Sequence, residues 1–125
     1  MVKLYISLPY SKIDKELSFR VANAITAHYI KQGFNIFSPI SHSHIIAKTC
    51  GLPDDAEFWE QSNHEFIDWC DQLCVVKLQG WEESTGVMDE IQYAQMADKL
   101  VFSIDPWEIL DKYDFIRTGP VLTPY

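Results

Sequence analysis

Lys3-Leu4-Tyr5-Ile6-Ser7-Leu8-Pro9-Tyr10-Ser11 is the stretch on which the fold turns. Lys3 to Ser7 is a short, β-prone apolar run. Pro9 cannot donate to a ladder, so the run reads as a buried strand emptying into a loop at Leu8 to Ser11. The loop feeds a helix predicted from about Lys15 to Lys31, where Leu17, Val21, Ala24, Ile25 and Tyr29 recur at helical spacing and Gly33 supplies the stop. Strand, loop and amphipathic helix in that order make a βα unit.

Outward from there the unit repeats. Phe34 to Phe37 is a second strand ended by Ser38-Pro39, and Ser41-His42-Ser43-His44 is expected in a long loop that runs to Asp54. Asp54 or Asp55 then caps a helix to about Cys70, with Phe58, Phe66 and Trp69 at its apolar positions. Leu73 to Leu78 reads as the third strand. Ser84 to Ala97 reads as a helix with Val87, Ile91, Ala94 and Met96 or Ala97 inward, and Leu100 to Ile104 as the fourth strand. Such alternation predicts an α/β, Rossmann/flavodoxin-like three-layer sandwich with a four- to five-stranded parallel sheet, Phe115-Ile116 offering the fifth strand. One domain is expected over 1–125, with its core at about 3–104 and an aromatic, proline-bearing tail at 105–125.

Bulk properties narrow the function. A net charge of −8 argues against a nucleic-acid polymer, which is held by clustered Lys and Arg; a single mononucleotide needs only a local phosphate site. Cys50, Cys70 and Cys74 lack disulfide-framework spacing, Cys70 and Cys74 read as small buried hydrophobes, and no secretory segment follows Met1. No apolar run is long enough to span a bilayer. A cytoplasmic protein without a membrane role is the expectation.

In a parallel α/β sheet, ligands bind beyond the carboxyl ends of the strands. Three loops are expected to meet there: Leu8 to Ser11, Pro39 to His44, and Gly80 to Gly86. In the third, Gly80-Trp81-Glu82-Glu83-Ser84-Thr85-Gly86 leaves a strand and starts a helix, whose free N–H groups can receive an anion. Ser84 adds a hydroxyl, Gly86 removes a side chain, and Glu90 follows six residues after Ser84. The plainer reading has Ser84 or Thr85 capping the helix and Glu90 solvated. Against it, Val87, Ile91 and Ala94 surround Glu90 on the helix, so it borders the buried face, where an unpaired charge is costly.

These residues carry a resemblance. Tyr5 to Ser11, Phe37-Ser-Pro-Ile-Ser-His42-Ser-His44, Phe58-Trp59 and Gly80 to Ile91 resemble the nucleoside 2-deoxyribosyltransferase-like superfamily, and within it the small DUF1937-type branch, over roughly residues 3 to 104. The resemblance implies that Glu90 is a nucleophile attacking the anomeric carbon of a 2'-deoxyribosyl group, with water or a second base resolving the glycosyl ester. It implies that Tyr5 holds the carboxylate. Transferases of this kind acting on free nucleosides carry an acid where Ser84 stands; 5'-monophosphate glycosidases carry serine. A 2'-deoxynucleoside 5'-monophosphate is therefore the expected substrate, with Ser84 and Gly86 at the phosphate.

Two positions depart from the pattern: Leu8 replaces a small residue before Pro9, and Asn63 stands where the base-side acid is expected. Asn63 can bond a base but cannot donate a carboxylic proton. Glu65 and Asp68 are the nearest substitutes, although Asp68 is rotated well away from the face of Asn63. Pro9, Tyr10 and Trp81 are expected to flank the pocket, and His42 or His44 to contact base or phosphate. His42, His44, Cys50 and His64 form no closed metal pattern, so neither metal nor organic cofactor is expected. The resemblance also implies a homo-oligomer with partner residues closing the site. The alternative is a non-catalytic nucleotide-binding module that senses or sequesters its ligand on the same scaffold, for which Asn63 and Leu8 are the best arguments.

Overall fold

The computed structural model describes residues 1–110, so the expected strand at Phe115-Ile116 lies outside the described residues. Four parallel strands form the sheet: β1 (Lys3–Ser7), β2 (Asn35–Phe37), β3 (Gln72–Val76) and β4 (Leu100–Ile104), in the order β2-β1-β3-β4. Tyr5 pairs with Phe37 on one side and with Leu73 on the other. β1 and β3 are buried along nearly their whole length and the flanking β2 and β4 are partly exposed, as expected for central strands covered on both faces. The fold is thus the α/β three-layer arrangement that the alternation predicts.

Side chains of β1 alternate between two cores, because successive residues of a strand face opposite ways. Leu4 and Ile6 pack with Val21, Ala22 and Ile25 of α1 (Lys15–Lys31). Tyr5 faces the opposite layer, with Ile67 of α3 (Ala56–Trp69) and with Val87 and Ala94 of α4 (Thr85–Met96). Asp14 caps α1 by accepting from the N–H groups of Glu16 and Leu17, and Asp55 caps α3 by accepting from Phe58.

Three expectations need correction. The segment after β2 is no loop: Pro39–Cys50 is a helix, α2, capped by Ser38 and closed at Gly51 with φ 70°. Pro39 does end the strand, but proline is also favoured in the first turn of a helix, and Ser38 before it is a good cap. On α3, Phe58 and Trp69 are exposed over 49% and 40% of their surfaces; Ile67 is the buried residue, and Phe66 stacks on Phe37 at 3.7 Å between ring centroids. Of Met96 and Ala97, Met96 is exposed and Ala97 is half-buried, with Val87, Ile91 and Ala94 on the packed side of α4. The start of the expected tail is also ordered into a helix, α5 (Pro106–Leu110), which buries Leu110 in the α1 core. No helix among the described residues is long and apolar enough to cross a membrane.

Candidate active site

The chain leaves β1 toward β2 on one side and returns to β3 on the other, so the sheet changes direction between β1 and β3. Loops at the carboxyl ends of those two strands must part there, which opens a crevice. A cleft of about 650 Å³ occupies it. The three loop regions meet as expected: Leu8, Pro9, Tyr10 and Ser11 line the cleft, as do Ile40 and His44 from α2, and Gly80, Ser84 and Gly86 from the region after β3. Gly80 makes that turn with φ 96°, and a Cβ there would lie 3.0 Å from Ile13. The backbone angle favours glycine, and any Cβ there would press on the Ile13 methyl.

Glu90 lines the cleft from α4. Its place between Val87 and Ala94 in the helical stripe carries it inward, and it is 7% exposed. Tyr5 Oη donates to one carboxylate oxygen and Ser7 Oγ donates to the other at 2.7 Å. Tyr5 and Ser7 lie two apart on β1 and so present to the same face. Sequence reading passed over Ser7, although the two-residue strand period from Tyr5 is a signal that finds it. The carboxylate is therefore fixed at both oxygens by a rigid strand.

Burial pushes the Glu90 carboxyl up to about 7; the hydrogen bonds from Tyr5 and Ser7 act against that rise, Asp89's charge adds to it and His64 opposes it. Burial, followed by the neighbouring Glu90, raises the Tyr5 phenol well above its ordinary value. Tyr5 belongs to the second core and touches Glu90 as well, so its packing role and its contact with the carboxylate coexist.

Ser84 caps α4, its oxygen accepting from Val87 N–H at 3.2 Å, while the residue also lines the cleft. Its hydroxyl hydrogen remains to be donated. At Gly86 a Cβ would sit 3.4 Å from that of Ala56, an ordinary contact, so the packing of α4 on α3 does not by itself demand glycine. Asn63 projects from α3 to the cleft and to a smaller adjoining hollow of about 220 Å³ that Glu90 also borders.

His42 and Trp81 do not line the cleft. On a helix, two residues of separation turn a side chain by roughly 200°, so His44 faces the cleft while His42 lies against Phe37 and Phe66. Trp81 begins a 3₁₀ turn, Trp81–Glu83, and packs on the second core. Glu65 and Asp68 do not line the cleft either, and Asp68 accepts from Tyr93. Trp59 and Trp107 are cleft residues that sequence reading left out.

His44 is 5% exposed and is bonded at both ring nitrogens. Tyr10 Oη lies 2.6 Å from Nδ1, and Nε2 lies 3.2 Å from the Glu16 carboxylate, which also accepts from Lys48 at 2.9 Å. The Phe19 ring covers the imidazole at 4.5 Å. Glu60, His64 and Asp89 bring three donor atoms within 4.8 Å of one another, the one such group among the described residues. There His64 Nε2 donates to Asp89 at 2.7 Å while its ring stacks on Tyr93, a hydrogen-bonded and stacked seam between α3 and α4.

The chain belongs to the family described as "Domain of unknown function (DUF1937)", whose model matches residues 2–105. That span covers every strand and every cleft residue except Trp107. A search of curated proteins found no match.

Proposed function

We propose that this protein cleaves or transfers the N-glycosidic bond of a 2'-deoxynucleoside 5'-monophosphate through a covalent glycosyl-Glu90 intermediate, as a relative of the nucleoside 2-deoxyribosyltransferase-like superfamily. One observation carries the reading: a buried carboxylate, held at both oxygens by Tyr5 and Ser7, borders an open cleft. A carboxylate so placed can attack an anomeric carbon without first having to be oriented, and splitting the displacement into two steps gives overall retention. The Tyr5 and Ser7 hydroxyls keep their protons and again donate hydrogen bonds to the carboxylate as the second step expels it. Ser84, at the N-terminus of α4, supplies a hydroxyl and a helix end suited to a 5'-phosphate.

A second reading has its own support. Asp14, Asp54, Asp55 and Glu83 line the same cleft as Lys12, and that acidic balance favours an uncharged 2'-deoxynucleoside. Exposed Ile45, Ile46, Leu52 and Phe58 support the expectation of a homo-oligomer. The deciding experiment incubates the protein with each 2'-deoxynucleoside and its 5'-monophosphate and follows free base by chromatography. Wild-type protein is expected to release base, faster from the monophosphate, and to carry a deoxyribosyl adduct on Glu90 in quenched samples. Glu90→Ala is expected to lose at least about 10⁴-fold in rate. Release undiminished in Glu90→Ala rules out the nucleophile; tight binding without turnover points to a sensing or sequestering module.

A further inference from the structure

The proposed reaction leaves one proton unaccounted for. As the C1'–N bond breaks, the leaving base needs a proton, and Asn63 cannot give a carboxylic one. In an in-line displacement the base departs on the side opposite the nucleophile, so the donor belongs across the cleft from Glu90. Glu90 and Asn63 come from the α3/α4 layer; the facing wall is built from α1, α2 and the loop after β1.

The carboxylates on that facing side are already engaged. Asp14 accepts the backbone N–H groups that it caps, and Asp54 is paired with Lys15 at 2.5 Å. What remains is the chain Tyr10, His44, Glu16. It begins with a phenol at the cleft, continues through a buried imidazole and ends on a carboxylate at the surface. A knot made only to hold α1 to α2 has no need to start at a cleft-lining hydroxyl.

We propose, on the premise of the glycosidase reading, that Tyr10 is the catalytic proton donor to the leaving base, resupplied by His44, which Glu16 positions. In the first step Glu90 forms its bond to C1' as the C1'–N bond breaks. The Tyr10 hydroxyl proton passes to the base nitrogen, and His44 Nδ1–H passes its proton to the Tyr10 oxygen. His44 is left neutral with its Nε2–H on Glu16. In the second step water attacks C1' from the vacated side and the Glu90 ester bond breaks. The water proton passes to the Tyr10 oxygen as Tyr10 returns its own to His44 Nδ1, restoring the imidazolium. The charged and titratable groups facing His44 are Tyr10, Glu16 and Lys48, with Asp54 near enough to feel its charge and Lys15 paired to Asp54.

Leaving-group dependence tests the assignment. A base must be protonated to depart readily, whereas 4-nitrophenolate departs without a proton. The two probes are a 2'-deoxynucleoside 5'-monophosphate that the wild type turns over and 4-nitrophenyl 2-deoxyribofuranoside 5-phosphate. Tyr10→Phe and His44→Gln are each expected to slow base release about 10²- to 10⁴-fold while keeping the first-turnover burst of 4-nitrophenolate, which needs no leaving-group proton and precedes the water step, within roughly threefold of wild type. Because the second activity is read on the same sample, it also reports that the variant is folded. Equal losses on both probes, or base release unchanged by either substitution, overturn the relay and leave the Glu90 reading standing. A wild type that releases neither leaving group overturns the glycosidase reading and the relay with it.

Discussion

The two walls of the cleft hold their polar groups in opposite ways. On the α3/α4 wall, Glu90 is a buried acid with two neutral hydroxyl partners, Tyr5 and Ser7, and no cation among the described residues bonded to it. On the α1/α2 wall, His44 is equally buried, yet its chain runs out through Glu16 to Lys48 at the surface, so charge is balanced along the way. The first arrangement raises the energy of the ionised group; the second lets a proton and its counter-charge share one path. A wall of the first kind suits a nucleophile, which must be reactive. A wall of the second kind suits a group that gives and regains a proton.

Neutralising the strained wall separates it most sharply from the other. Glu90 has an ordinary value of 4.5 and stands near 7 in the folded chain. Between those values the folded state holds a proton that the unfolded state has released. Stability from this group is therefore complete below about 4.5 and is lost as pH rises through 7. Glu90→Gln is expected to be more stable than wild type at pH 8, by up to about 3 kcal/mol, in urea unfolding. The difference should shrink to nearly nothing at pH 4. A variant no more stable than wild type at pH 8 removes the distinction between the walls.

Next in size is the hydrogen bond that restrains the carboxyl. Tyr5→Phe deletes a bond to a charged group, for which about 1.5–3 kcal/mol, roughly 10- to 150-fold in kcat/KM, is expected. The acidic limb of the wild-type profile should lie near 7 and move to higher pH in the variant, because Tyr5 acts to lower the Glu90 value. An unmoved limb assigns that titration to another group.

The smallest effect concerns the ligand's charge. Aspartate caps helices as well as serine does, so Ser84→Asp should leave thermal stability unchanged while adding a negative charge at the start of α4. A loss of roughly tenfold in kcat/KM on the monophosphate, about 1.4 kcal/mol, is expected, with little change on the nucleoside. Equal losses on both remove the assignment of Ser84 to the phosphate.

Periodicity made much of this legible. Alternating strands and helices identify the layers, and the stripe Val87, Ile91 and Ala94 puts Glu90 at the border of a buried face. The histidine segment was harder, because Ser38-Pro39 marks both a strand end and a helix start, and local pattern cannot choose between them. Once α2 is helical, helical rotation separates His44 from His42, and only one reaches the cleft.

By itself the sequence determined the βα alternation and the place of Glu90 beside a buried helix face, since each is written in spacing along a few consecutive residues. Only the tertiary structure decided which groups meet in hydrogen bonds. Tyr5 and Ser7 meet Glu90 across 85 and 83 residues, and Tyr10 meets His44 across 34. Such pairings are set by strand order and by which layer covers which face of the sheet, and neither is carried by any local period.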